Sequence, residues 1–219
     1  MSIKDNVRKI LSELPGGIEL VIAAKTRTPA EILETIEAGA KIIGENYVQE
    51  AQKAFDAIGK RAKWHLIGHL QLNKVKKAVK IFDLIETVDS FKTAEEINKE
   101  CQKENKIMPI LIEINSAKEL QKAGILPEDV EELVRRISNL KNLRISGLMT
   151  IGPETGNPED ARPYFAITKT IFDNMKSMNL PNLNMMYLSM GMSNSYQIAI
   201  EEGANVIRIG TKIFGERKM

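Results

Sequence analysis

Eight short apolar runs alternate with amphipathic stretches along almost the whole of this chain, and that alternation leaves few architectures open. The runs are Glu19 to Lys25, Lys41 to Asn46, Lys63 to Gly68, Asp83 to Val88, Met108 to Ile114, Leu143 to Met149, and two more within Tyr187 to Gly215. Helical spacing fills the gaps: Thr28 to Gly39, Val48 to Ile58, a stretch through Leu72, Val75, Val79 and Ile81, a helix capped by Asp89 or Ser90 and reaching Asn105, Leu126 to Leu140, Pro158 to Met178, and a last one after Ser193. Thr28-Pro29-Ala30-Glu31 reads as a helix start, with a capping hydroxyl, a proline at the first helical position and a glutamate at the third. Strand–helix alternation means parallel strands joined by helical crossovers. Eight units in series predict an α/β fold, a closed (β/α)8 barrel of the TIM type, with a doubly wound open sheet as the alternative. Residues 1–219 are read as a single domain, since 219 residues lie near the low end for a barrel. An additional helix, Ser2 to Glu13, with Ile3, Val7, Ile10 and Leu11 at helical spacing, precedes the first strand and is expected to plug or flank the barrel's N-terminal side.

Composition excludes several classes. The net charge of +2 implies no strong field for nucleic acid, and Lys74, Lys76, Lys77 and Lys80 read as the solvated face of one helix. Cys101 stands alone, which rules out an internal disulfide framework and a cysteine-rich metal site and fits a reducing cytoplasm. The first residues lack the apolar core of a signal peptide, and no apolar run approaches a membrane span. His65 and His69 are four apart, but His65 falls in a strand and nothing completes a metal site, so no metal is expected.

The chemistry gathers at the strand ends. Tyr187-Leu188-Ser189-Met190-Gly191-Met192-Ser193 and Asn205-Val206-Ile207-Arg208-Ile209-Gly210-Thr211 are two apolar runs that stop at glycine and hydroxyl residues. Such ends let backbone N–H groups approach an anion, and in a barrel the loops after strands seven and eight often hold phosphate. Arg208 shares its strand face with Val206 and Gly210; inside a barrel its guanidinium needs a carboxylate such as Glu86 or Glu113, or a bound anion. Closure makes strand one the neighbour of strand eight, placing Lys25 one strand from the cup. A lysine with apolar neighbours and an adjacent guanidinium loses its proton more readily and can then attack an aldehyde. Phosphate cup, lysine and arginine together describe a pyridoxal phosphate site; other phosphate-ligand barrels, including a sugar-phosphate enzyme, remain open on spacing alone.

Six segments carry a resemblance: Ala24-Lys25-Thr26, Gly44-Glu45-Asn46, Trp64 through Lys74 (with His65-Leu66-Ile67-Gly68-His69-Leu70-Gln71), Gly147-Leu148-Met149-Thr150, Leu188 through Ser193, and Arg208-Ile209-Gly210-Thr211. In this order they resemble the pyridoxal phosphate homeostasis protein family, which is similar to the N-terminal barrel of alanine racemases, the fold type III of pyridoxal phosphate proteins. The resemblance implies a Schiff base on Lys25 and a phosphate held by Ser189, Gly191, Ser193, Gly210 and Thr211. It also implies Arg208 near the pyridine nitrogen, with Asn46, His65 and Met149 lining the pocket. Most of the ten methionines read as core fillers, with Met190, Met192 and Met149 as the ones placed to touch the ligand. Ala24 stands where a serine is common in the family, and Ser195, after Asn194, stands where an acidic residue is frequent. The expected function is non-catalytic: a cytoplasmic, monomeric protein that holds pyridoxal 5'-phosphate, with PLP-dependent apo-enzymes as partners. The alternative is an amino-acid racemase. It needs a second base, which alanine racemases bring from a second domain and partner subunit, and the chain ends at Met219 without one.

Overall fold

The computed structural model describes residues 2–119, 121–153 and 157–216. Nine helices and eight strands alternate among these residues: α1 (Ile3–Glu13), β1 (Glu19–Ala23), α2 (Pro29–Glu37), β2 (Ile42–Glu45), α3 (Val48–Ile58), β3 (Lys63–Leu66), α4 (Val75–Ile81), β4 (Leu84–Val88), α5 (Phe91–Lys103), β5 (Met108–Ile114), α6 (Val130–Ile137), β6 (Leu143–Thr150), α7 (Arg162–Lys176), β7 (Leu183–Ser189), α8 (Tyr196–Glu201), β8 (Val206–Ile209) and α9 (Thr211–Phe214). The strands are parallel in sequence order and close into a barrel, β8 pairing with β1 through Val21 beside Arg208. The closed barrel therefore stands and the open sheet does not. Local signals set the helix starts: Ser2 with Asp5, and Thr28 with Glu31, form reciprocal capping boxes, and Ser90 caps α5 through the Thr93 N–H. Ahead of α4 and α6, neither of which has a side-chain cap, the entering turn tightens to 3-10 form, over Leu72–Lys74 and Pro127–Asp129.

Side-chain alternation builds two layers. The outward strand residues, among them Ile22, Ile43, Trp64, Leu66, Ile85, Ile110, Ile112 and Ile207, pack under the helices in one continuous core. Each fully buried Ile or Leu there contributes about 1.5–3 kcal/mol over exposure. Trp64 is fully buried, with its ring edge on Phe55 and its indole N–H bonded to the Gly59 carbonyl at 3.0 Å. The inward residues are a mixture: two small apolar groups, Val21, Ile42, Ile67 and Val206, and Leu84, Leu111 and Met149, with polar side chains between them. A bulge at Ser146 sets this pattern on β6, because Ile110 pairs with Ile145 but Leu111 already pairs with Gly147. Ile145 and Leu148 both face outward in consequence, and Met149 turns into the barrel. The additional helix differs from its expected place. The helix after β8 is four residues long, and α1 packs beside it and α2 in the outer ring, with Asn6 Nδ2 donating to the Ile213 carbonyl at 2.9 Å.

Candidate functional site

The C-terminal strand ends enclose a cavity of about 400 Å³. Lys25 enters it from the turn after β1, Asn46 from the end of β2, and Ile67 from beyond β3. Met192, Ser193 and Asn194 supply the wall after β7, and Arg208, Gly210 and Thr211 that along and after β8. The wall holds three cations, Lys25, Arg27 and Arg208, and no carboxylate among the described residues. Gly210 is needed where β8 closes on β1, since a Cβ there would lie 3.0 Å from the Ala23 carbonyl oxygen. The Ser193 hydroxyl accepts from the Lys212 N–H at 3.4 Å, tying the two loops together.

Arg208 links this cavity to the barrel interior. It is 4 % exposed. One Nη donates to the Ser189 hydroxyl at 2.5 Å, the other to the Thr150 carbonyl at 2.8 Å. Ser189 in turn donates to Glu86 Oε2 at 2.6 Å, and Glu86 Oε1 meets His65 Nδ1 at 2.7 Å. The Glu86 carboxylate lies 3.9 Å from the guanidinium. Burial by itself raises the Glu86 carboxyl, but the His65 bond and charge, the Arg208 charge and the Ser189 hydroxyl outweigh it and hold the carboxyl below its ordinary value. Glu113 behaves oppositely: burial, with Asp89 adding and Arg208 partly opposing, pushes it up to about 7, and its Oε2 has no hydrogen-bond partner. Arg208 thus does both things its sequence position allowed, pairing with Glu86 and facing the cavity.

Of the expected site residues, Lys25, Asn46, Met192, Ser193, Arg208, Gly210 and Thr211 meet at the cavity, and five do not. His65 lies two residues below the mouth, where Ile67 takes its place in the wall, and Met149 lies below Ile151 in the same way. The Ser189 hydroxyl is committed to Glu86 and Arg208 at zero exposure, so its single O–H donor is spent inside the barrel. Met190 points outward into the core under the helices. Gly191, at φ +88°, passes so close to α8 that a Cβ would lie 2.6 Å from the Ala199 methyl, and its carbonyl accepts the Arg208 N–H at 3.1 Å. Sequence reasoning missed Arg27, which stacks over Phe214 at 4.9 Å and donates to the Gly215 carbonyl at 3.4 Å. The available signal was its place two residues after Lys25 on the same strand exit. His69 is exposed, and among the described residues no three His, Cys, Asp or Glu side chains gather as metal ligands.

Residues 1–218 match the family described as alanine racemase, N-terminal domain. The pyridoxal phosphate homeostasis protein of Aquifex aeolicus is 43 % identical over 201 residues, 91 % of this chain and 87 % of that protein. The chain belongs to the pyridoxal phosphate homeostasis protein family. The relative of that name from Schizosaccharomyces pombe is 32 % identical across 99 % of this chain and 92 % of its own. The solved structure of PipY from Synechococcus elongatus PCC7942, with PLP bound, superposes with a TM-score of 0.90 at 33 % identity, covering 98 % of this chain and all (100 %) of that one. An alanine racemase from Clostridium difficile shares the fold alone, with a TM-score of 0.81 at 14 % identity, and this chain spans 57 % of it. Within the homeostasis protein family, the departure at Ala24 is a buried residue packed in the outer core, away from the cavity. No described helix is long and apolar enough to cross a membrane.

Proposed function

We propose that this protein holds pyridoxal 5'-phosphate in the cavity at the barrel's C-terminal mouth, with Lys25 as the attachment point, and serves to store and hand on the cofactor. One observation carries the reading: an amine and two guanidiniums line a cavity of about 400 Å³ that has no carboxylate in its described wall. That size suits a small ligand and that charge suits a phosphate. The bound PLP of PipY and the name of the Aquifex aeolicus relative support the same ligand. The cofactor supplies an aldehyde and a phosphate. Lys25 would furnish the primary amine, while Ser193, Gly210 and Thr211 would take the phosphate, with Arg27 in reach of the same charge. Arg208, permanently charged and anchored by Ser189 and Thr150, holds its neighbour by charge rather than by lending a proton. Ser189 then acts through Arg208. A cytoplasmic monomer that passes its cofactor to apo-enzymes fits this reading.

Two measurements test it. A hydrogen bond to phosphate is worth about 1.5–3 kcal/mol, so Thr211→Val is expected to weaken pyridoxal phosphate binding at least about tenfold. Pyridoxal, which lacks the phosphate, is expected to lose far less; equal losses would place the phosphate elsewhere. For the non-catalytic part, the loaded protein is incubated with L-alanine in deuterated water. Exchange of the α-proton is expected no faster than with free pyridoxal phosphate, and turnover on the order of 1 s⁻¹ would identify an enzyme.

A further inference from the structure

Lys25 does not sit on regular strand. It is the second residue of a four-residue turn, Ala24 to Arg27, closed by the Arg27 N–H on the Ala24 carbonyl at 2.9 Å. The third residue, Thr26, has φ +65°. A type II turn needs a positive φ there and normally uses glycine or asparagine; a β-branched residue is a true outlier, and such strain persists only where the surroundings enforce it. The enforcing contact comes from α3. Glu50 Oε2 accepts the Thr26 N–H at 2.9 Å, while the Thr26 hydroxyl folds back onto the Lys25 carbonyl at 2.6 Å. Glu50 occupies the first turn of α3, where unpaired N–H groups favour its charge. The same helix start presents Tyr47, whose ring centroid is 5.4 Å from Lys25 Nζ. Thus α3 grips the lysine turn twice, at the backbone and at the amine. Glu45 is buried, with an unpartnered Oε2, and burial together with the Glu50 charge raises its carboxyl to about 8.

We propose that Glu50 is a positioning residue, holding the strained Lys25–Thr26 turn in the conformation that presents Nζ to an aldehyde in the cavity. The inference rests on the reading of Lys25 given above. The step it serves is a condensation: the neutral amine bonds to the aldehyde carbon, C=N replaces C=O, and the carbonyl oxygen departs as water with the two amine protons. No oxidant or reductant is needed. Without Glu50, Thr26 is free to leave its strained φ and the amine loses its fixed approach.

The test uses the full chain and two ligands. Pyridoxal 5'-phosphate attaches covalently, and borohydride trapping reads the rate on Lys25 by mass. Pyridoxine 5'-phosphate carries an alcohol in place of the aldehyde and reads occupancy of the cavity alone. Glu50→Ala is expected to slow attachment about tenfold while the pyridoxine phosphate Kd stays within about twofold. Glu50→Gln keeps an acceptor oxygen and should fall between. Thr26→Gly, which takes a positive φ without strain, should restore most of the rate in the Glu50→Ala background. Equal losses for both ligands, no loss at all, or no recovery with Thr26→Gly would each overturn the positioning role. Trapping on another lysine in the unmodified protein would instead overturn the Lys25 reading, and that result appears before any variant is made.

Discussion

Borohydride reduction of the pyridoxal phosphate-loaded protein is expected to fix the label on the peptide containing Lys25, and Lys25→Ala is expected to abolish both the label and the yellow absorbance. This is the largest effect foreseen, because a covalent bond is present or absent. Proximity decides which lysine reacts, since a positioned amine gains the effective concentration of an intramolecular reaction. Lys25 lines the cavity, and its ammonium has an aromatic ring rather than a carboxylate as its neighbour. Competing lysines are engaged elsewhere. Lys122 is bonded to Glu119 and to the Gly152 carbonyl, and Lys212 lies over the Tyr196 ring at 4.9 Å. Loss of Lys25 leaves Arg27, Arg208, Ser193 and Thr211 in place, so the alanine variant should still retain phosphate-bearing ligands reversibly. A main adduct on Lys212 or Lys122 with Lys25 unmodified would reject the assignment.

The architecture was legible because its signals are local. The Thr28–Glu31 capping box, the Val48 and Ile58 limits of α3 and the eight strand cores all depend on residues within a turn or a few positions of one another. What was not legible depends on residues far apart. The place of α1 in the outer ring follows from the brevity of α9, more than two hundred residues away, with Asn6 bonded to Ile213. Tightened first turns at Pro127 and Pro158 reflect how each loop enters its helix, which composition alone does not fix.

The site divides along the same line. Alternation tells which face of a strand a residue takes, and the inward placing of His65, Glu86, Ser189 and Arg208 follows from it. Depth is another matter, because it is set by the stagger of strands around a closed barrel. Ser189 registers with Val206, two residues below Arg208, so its hydroxyl meets the guanidinium from beneath instead of reaching the mouth. For the same reason Ile67 and Ile151 occupy the wall where His65 and Met149 were expected. Gly191 illustrates a further ambiguity: a glycine read as an approach to phosphate is required by the nearness of α8.

The inward polar residues that miss the cavity are expected to matter for stability, Glu86 most of all. Its side chain is fully buried and accepts from His65 at 2.7 Å and Ser189 at 2.6 Å, with the Arg208 guanidinium 3.9 Å away. Glu86→Ala removes the counter-charge and leaves a buried cation, a change that costs about 3–5 kcal/mol in comparable buried pairs. Replacing both partners avoids the orphaned charge, so Glu86→Leu with Arg208→Met should be more stable than Glu86→Leu alone. The pH dependence has a definite sign. The Glu86 carboxyl is held below its ordinary value of 4.5, so its contribution is present above that pH and is lost as pH falls through the folded-state value. The gap between wild type and Glu86→Ala should therefore narrow in acid. Glu113, raised to about 7, runs the other way: its contribution is complete below 4.5 and is lost as pH rises through about 7, so Glu113→Gln should gain on wild type towards alkaline pH. Denaturant unfolding at neutral and acid pH measures the first, and a neutral to alkaline series the second. A loss under about 1 kcal/mol for Glu86→Ala at neutral pH, in the range of a solvent-exposed pair, would mean that water reaches the network and that Arg208 is not held by it.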